Sequence, residues 1–292
     1  MMPTVKHTNF PCDLCGADRP VEVPHSREYT GDQPVYICSQ CGFVYVRSRR
    51  SAKDIAASWS DDIFGEGYTA RIPAVTARLT FVAAFLDEQI GLKGKTLCDI
   101  GGGEGEFLRI AGGQPYGART FGIEPSPANC ARLRELGVEH FNGTIEDYRD
   151  RPDGQKRRFD VVTIMWTLEN CQSCRAMLDA AHDVLADGGH ILVATGSRLL
   201  VPFKKPLHYY LSKNPADTHC FRFSANSLRG ILAVSGFAPV AINRYVDQDW
   251  LVVVARKEAK GKSIPWQGDD PKAMSDFFER WHRDTQTHFR DI

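Results

Sequence analysis

Four cysteines near the N-terminus stand in two matching patterns, Cys12-Asp-Leu-Cys15-Gly and Cys38-Ser-Gln-Cys41-Gly, with 22 residues between them. Thiolates three residues apart on a tight turn supply two ligands each, and Zn²⁺ takes four in a tetrahedron. Cys12, Cys15, Cys38 and Cys41 would fill every position, leaving none for water or substrate, so a structural zinc is expected. A segment of about 50 residues builds little core, and the metal is expected to supply its folding energy. Cys171-Gln-Ser-Cys174 stands alone at a helix start and is read as two cysteines without a joint role.

A second cluster lies in mid-chain. Leu97-Cys-Asp99-Ile runs into Gly101-Gly-Gly103-Glu-Gly105-Glu-Phe. Glycines at alternate positions let a ligand approach the backbone at the carboxyl end of a strand. A phosphate loop needs Gly-Lys-Ser/Thr, which is missing here. The dinucleotide fingerprint needs a small residue where Glu106 stands. Asp99, Glu104 and Glu106 make the loop acidic, which suits a ligand carrying an ammonium and a sulfonium. Glu124 follows 25 residues after Asp99 and ends the next strand, where a carboxylate can accept both hydroxyls of a ribose.

The elements that must hold these groups follow from apolar periodicity. Val75, Leu79, Val82, Leu86 and Ile90 recur at helical spacing before Gly91. Strands are expected at 96–100, 120–124, 159–165 and 190–194, alternating with helices, one of them opened by Ser126-Pro127 and closed by Gly137. Gly188-Gly189 is read as the stop of the helix before the last of these strands. Segments 239–245 and 250–255 read as an antiparallel pair. The fold class is therefore α/β: a Rossmann-like doubly wound sheet with a terminal antiparallel pair, plus a small N-terminal zinc ribbon. The expected units are a ribbon at 1–50, a helical linker at 51–90, a core at 91–256 and a charged accessory tail at 257–292. Phe277, Phe278 and Trp281 mark an amphipathic helix in that tail.

From Thr96 to Arg256 the chain resembles the class I S-adenosylmethionine (SAM) dependent methyltransferases. Asp99-x-Gly101-x-Gly103-x-Gly105 is similar to the family's first motif, which implies a loop for the methionine end of SAM. Glu124 falls at the ribose-binding acid, and Glu146 in Gly143-Thr-Ile-Glu146-Asp near the adenine. Leu185-x-x-Gly188-Gly189 and Ser235-Gly236-Phe237 resemble further family segments, with Asp187 where the family has proline. With its two knuckles the chain resembles the zinc-binding methyltransferases of deoxysugar and surface-polysaccharide synthesis. Where those end the fourth strand in a His-Val-Leu-Glu-His-like run, this chain reads Trp166-Thr-Leu-Glu169-Asn170. Thr218-His219-x-x-x-Phe223-Ser resembles the segment over the acceptor, and Tyr68 a tyrosine that covers the cofactor.

The resemblance implies SAM as cofactor and a small-molecule acceptor, with a nucleotide-linked sugar or glycan precursor as first class. His219, Tyr68 and Glu169 are the candidate catalytic groups, His208 with Tyr209 the reserve. Asp99, Gly101, Gly103, Gly105, Glu124, Glu146 and Trp166 are the candidate cofactor contacts. Lys+Arg and Asp+Glu are both 36, so net charge leaves no footprint for nucleic acid. An RNA methyltransferase is the alternative, but the first 50 residues carry six basic and five acidic side chains, and four thiolates would make them more negative. A non-catalytic scaffold of the same fold is the other alternative. No apolar run spans a bilayer, which takes about 18 residues, and no signal-peptide core is seen, so a cytoplasmic location is expected.

Overall fold

The computed structural model describes residues 7–62, 72–201, 205–212, 219–243 and 250–289. Tyr68 lies outside them. The N-terminal part holds β1 (Thr8–Asn9), β2 (Pro20–Glu22), α1 (Ser26–Thr30), β3 (Val35–Cys38), β4 (Val44–Val46) and β5 (Ser48–Arg49). Two helices follow, α2 (Ala52–Asp62) and α3 (Ile72–Ile90). Then β6 (Thr96–Ile100), α4 (Glu106–Gly112), β7 (Arg119–Glu124), α5 (Pro127–Glu135), β8 (Glu139–Asn142), α6 (Ile145–Arg149) and β9 (Phe159–Met165) alternate. The chain continues through α7 (Cys174–Val184), β10 (Leu185–Thr195), α8 (Leu207–Tyr210), β11 (Phe221–Arg222) and α9 (Ala225–Val234). It closes with β12 (Phe237–Ile242), β13 (Leu251–Lys257) and α10 (Pro271–His288).

The large sheet has the order β12-β13-β10-β9-β6-β7-β8. β6, β7, β8, β9 and β10 pair in parallel, while β13 pairs antiparallel with both β10 and β12. This is the expected Rossmann-like sheet with its terminal antiparallel pair. Alternate residues serve opposite faces, as a sheet covered on both sides requires. Leu97, Val161, Leu192 and Val252 pack with Leu79, Val82 and Leu86 of α3. Cys98, Val162, Ile191 and Val253 pack with Leu178 of α7 and Ile231 of α9.

Strand order reverses between β6 and β9. Such a switch point opens a crevice for a ligand. Both motifs singled out in the sequence, the glycine loop and Trp166–Asn170, leave the sheet at this crevice.

Two details differ from the sequence reading. The chain enters β10 at Leu185, directly from α7, and Gly188 and Gly189 form an irregularity inside the strand instead of a helix stop. A Cβ on Gly189 would lie 2.9 Å from the carbonyl oxygens of Ala186 and Asp160, so a side chain there would block the register. The ribbon also recruits distant segments. Its sheet has the order β11-β4-β3-β2, with Phe221 opposite Tyr45 and Arg222 opposite Val44. The C-terminal helix α10, expected within an accessory tail, packs on that sheet: Met274, Phe278 and Trp281 join Val35, Ile37 and Val44.

Candidate functional site

Three glycines of the β6 loop are required for three different reasons. Gly101, Gly103 and Gly105 all have positive φ, at 75°, 52° and 86°. A Cβ on Gly101 would lie 2.5 Å from Thr167 Oγ1, so this glycine lets the β6 and β9 loops touch. A Cβ on Gly105 would lie 2.6 Å from Leu133 Cδ2, so this one seats α4 against α5. A Cβ on Gly103 would meet open space. Of these three, Gly103 is the one that presents bare backbone to open space, the cradle a ligand needs.

Glu124 ends β7 beside that cradle. Gly103 N donates to its Oε2 at 2.8 Å, and Ser126 N donates to its Oε1 at 2.8 Å. Burial raises its pKa, and these two amides temper the rise. The Asn129 side chain adds a third hydrogen bond, and a carboxylate held in place in this way fits vicinal hydroxyls. Asp99 is fully buried and accepts Thr163 Oγ1 at 2.7 Å. Burial pushes its pKa up to about 7, against the Thr163 hydrogen bond and with the help of the Glu124 charge. Glu146 lies half-buried in the first turn of α6, past the carboxyl end of β8.

The other wall of the crevice is built from the end of β9. Trp166 sits at φ 52°, unusual for a bulky residue, and its amide donates to Ala194 O at 2.7 Å. Arg78, on α3, holds its guanidinium 3.7 Å from the centre of the indole. Sequence reading missed Arg78; its signal was a charge placed three residues after Val75 and four before Val82, at the margin of the apolar stripe. Glu169 is buried, and Gly196 N donates to its Oε1 at 3.2 Å. Burial pushes its pKa up to about 7, opposed by hydrogen bonds, one of them from Thr195, and by the Arg78 charge. Glu169 Oε2, Trp166 Nε1 and Asn170 Oδ1 are buried without hydrogen-bond partners. Buried polar atoms left unpaired cost free energy and mark where a ligand would pay them back.

His219 approaches the same wall. Its Nδ1 lies 3.1 Å from Ser197 Oγ, one residue beyond the Gly196 amide that contacts Glu169. Burial, then Arg222 and Lys205, pushes its pKa down to about 3, so the ring is neutral and weakly basic. The His208 and Tyr209 rings meet at a tilt of 46° with centres 4.5 Å apart, and Tyr209 is exposed. The structure thus gathers Asp99, Gly103, Glu124, Trp166, Glu169 and His219 around one end of the sheet. Two surface cavities lie elsewhere, one of about 550 Å³ by the start of β8 and one of about 1000 Å³ beside the knuckles.

The four N-terminal cysteines converge as their spacing requires. Cys12 and Cys41 sulfurs are 3.6 Å apart, and Cys15 and Cys38 sulfurs 3.5 Å apart. All four lie within 4.8 Å of one another. Tetrahedral zinc at about 2.3 Å from sulfur spaces its ligands by about 3.8 Å, so the donor set fits the ion. Four clustered sulfurs cannot all ionise without a cation: hydrogen bonding to Cys12 and Cys38 drives Cys41 up, while Cys38 is driven down as it accepts from Cys12 and Cys41. The glycine amides close the knuckle turns, Gly16 N on Cys12 O and Gly42 N on Cys38 O. Cys171 and Cys174 are driven well above the usual thiol range by burial, which makes them inert.

Comparison with known proteins agrees with this architecture. A family model described as "Methyltransferase domain" matches residues 71–242, more than half of the chain. The chain belongs to that methyltransferase domain family. Among curated proteins it is similar to the ubiquinone biosynthesis O-methyltransferase of Pseudomonas paraeruginosa, 33% identical over 147 residues, covering 47% of this chain and 61% of that protein. The Shewanella pealeana enzyme of the same name is 32% identical over 142 residues, covering 44% and 56%. The match therefore spans less than two thirds of these relatives' length. Among solved structures, the 1,6-didemethyltoxoflavin-N1-methyltransferase of Burkholderia thailandensis covers 82% of this chain and 100% of its own, at TM-score 0.53 and 16% identity. A SAM-dependent methyltransferase of Thermotoga maritima covers 70% of this chain and 100% of its own, at TM-score 0.52 and 19% identity. These likenesses are of fold.

Proposed function

We propose that this chain is a SAM-dependent methyltransferase acting on a small molecule, with a structural zinc in the Cys12, Cys15, Cys38 and Cys41 site. The observation that carries the reading is the Glu124 carboxylate, fixed by the Gly103 and Ser126 amides beside bare backbone at the switch point. Gly103 and Glu124 would hold the ribose side of SAM, the Asp99 end of β6 and the Gly101 turn its methionine side, and Glu146 its adenine. SAM, when bound, supplies a methyl group already activated by its sulfonium.

The chain then has to orient the acceptor and manage one proton. Glu169 is the better base, because its pKa near 7 matches neutral pH and its buried Oε2 has no hydrogen-bond partner. His219, neutral and weakly basic, is suited to orienting the acceptor through hydrogen bonds. Trp166 and Arg78 would form the wall that excludes water. A nucleotide-linked sugar or glycan precursor is the first acceptor class to screen. The similarity to ubiquinone biosynthesis O-methyltransferases makes a small molecule with a hydroxyl acceptor the second.

Calorimetric titration of SAM into zinc-loaded protein tests the reading. Micromolar binding, weakened in both Glu124→Ala and Asp99→Ala, is the expected result. Folded, ligand-stripped protein that binds no SAM would overturn it.

A further inference from the structure

We infer that Asp13 is a positioning residue through which the cysteine cluster holds the acceptor wall of the crevice, an inference that rests on the methyltransferase reading above. Asp13 lies inside the first knuckle, between Cys12 and Cys15, and a solvated carboxylate would be ordinary there. Instead its side chain is 4% exposed and faces Arg49, which is 0% exposed. Arg49 Nη2 donates to Asp13 Oδ2 at 2.7 Å. A charged pair this far from water is costly unless every polar atom is used, and here they are used across the ribbon–core boundary. Ser173 Oγ donates to Asp13 Oδ1 at 3.0 Å, and the same Ser173 caps α7. Arg49 Nη1 donates to Gln172 O at 2.7 Å, and Nε donates to Val46 O at 2.6 Å. Gln172 Nε2 returns a bond to Arg50 O at 2.8 Å.

Segment 171–174 is thereby held by the ribbon on several sides. It begins directly after Asn170, whose Nδ2 donates to Trp166 O at 2.7 Å. The Asp13–Arg49 pair therefore anchors the far side of the Trp166–Asn170 turn, whose near side is held by the ends of β9 and β10 and by Arg78. The second acceptor-side group is held likewise. Val46 N donates to Cys220 O at 2.8 Å, next to His219, and Arg49 lies 4.4 Å from the Phe221 ring centre. The hydrogen bonds of Asp99 and Glu124 described above all stay within the large sheet and its loops. The ribbon thus grips the acceptor wall and leaves the cofactor wall to the sheet. Where the Gly101–Thr167 contact joins the two walls at their base, knuckle geometry, and with it Asp13, holds the acceptor wall from its other side.

Amide hydrogen exchange on zinc-loaded full-length protein tests this, with Asp13→Asn and Ser173→Ala compared with wild type, each with and without S-adenosylhomocysteine. In Asp13→Asn, exchange over 166–177 should accelerate about tenfold or more while 97–124 keeps its rates, since local openings follow local contacts. Ser173→Ala, which leaves the ion pair intact, should give about a threefold acceleration over the same stretch. Zinc content should be unchanged in both, and S-adenosylhomocysteine should still protect 97–124. Unchanged exchange over 166–177 in zinc-loaded Asp13→Asn would overturn the inference. Equal acceleration across 97–124 would also overturn it, making Asp13 an ordinary stability residue. If Asp13→Asn does not fold, the Ser173→Ala result decides on the same readout. Wild type that fails to bind S-adenosylhomocysteine would instead refute the methyltransferase reading and leave the exchange result standing.

Discussion

Asp99 and Glu169 are carboxyls that the fold keeps close to half-protonated at neutral pH, since burial pushes each to about 7. In the unfolded chain they would ionise near their ordinary values of 3.8 and 4.5. Between those limits the folded state binds more protons, so their contribution is full below about pH 4 and is lost as pH rises through about 7. Glu169→Gln, which cannot ionise, should therefore flatten the fall in urea midpoint between about pH 4 and pH 8 relative to wild type. A midpoint profile identical to wild type would show that Glu169 is not held protonated. The loop glycines divide as sharply. Gly101→Ala combines positive φ with a 2.5 Å approach to Thr167 Oγ1 and should cost about 2–4 kcal/mol in chemical denaturation. Gly103→Ala meets open space, so it should cost only about 1 kcal/mol of stability, while its methyl in the cradle weakens SAM binding by about tenfold or more. Equal stability losses in the two variants would contradict these distinct roles.

At the scale of elements, the docking of α10 is what the sequence left open. Phe277, Phe278 and Trp281 announced an amphipathic helix, but nothing local named its partner. The structure lays it on the ribbon sheet, with Phe278 fully buried and Trp281 Nε1 donating to Lys205 O at 2.7 Å. His282 adds a bond of 2.6 Å to Tyr29 and stacks on His25 at 3.6 Å. Phe278→Ala should cost about 3–5 kcal/mol, the usual loss for a buried aromatic, and Trp281→Phe about 1 kcal/mol from the lost indole bond. Thermal unfolding followed by circular dichroism checks both. A loss below about 1 kcal/mol for Phe278→Ala would mean that the helix is not docked as described. The strap before α10 is equally committed: Asp269 N donates to Cys41 O at 3.0 Å, and a Cβ on Gly42 would lie 2.6 Å from Asp269 O.

For the molecule as a whole, the cysteine cluster joins parts of the chain that are distant in sequence. Removing zinc should therefore act well beyond residues 1–50. Purified protein is expected to carry about one zinc per chain, because one set of four thiolates makes one tetrahedral site. A strong chelator should lower the melting temperature and expose α10 and the 219–223 segment to proteolysis before the large sheet. Metal analysis and limited proteolysis read this out, and a chelated protein with unchanged cleavage would refute it. No helix among the described residues is long and apolar enough to cross a membrane.

Local chemistry determined much of this protein from the sequence alone. Paired Cys-x-x-Cys-Gly knuckles converge because four thiolates need one centre. Strand, glycine turn, helix, strand and terminal carboxylate place Asp99 and Glu124 near one another, because all the spacings fall within one β-α-β unit. The alternation of strands and helices was legible for the same reason: periodicity is a property of neighbours in sequence. What the tertiary structure alone decided are contacts between residues far apart in the chain. Asp13 with Arg49 and Ser173, Arg78 over Trp166, β11 on β4 and α10 on the ribbon each join such segments. The pKa values of Glu169 and His219 belong to this second group, because burial by distant side chains sets them and a sequence does not state which chains come to cover a given carboxyl or ring.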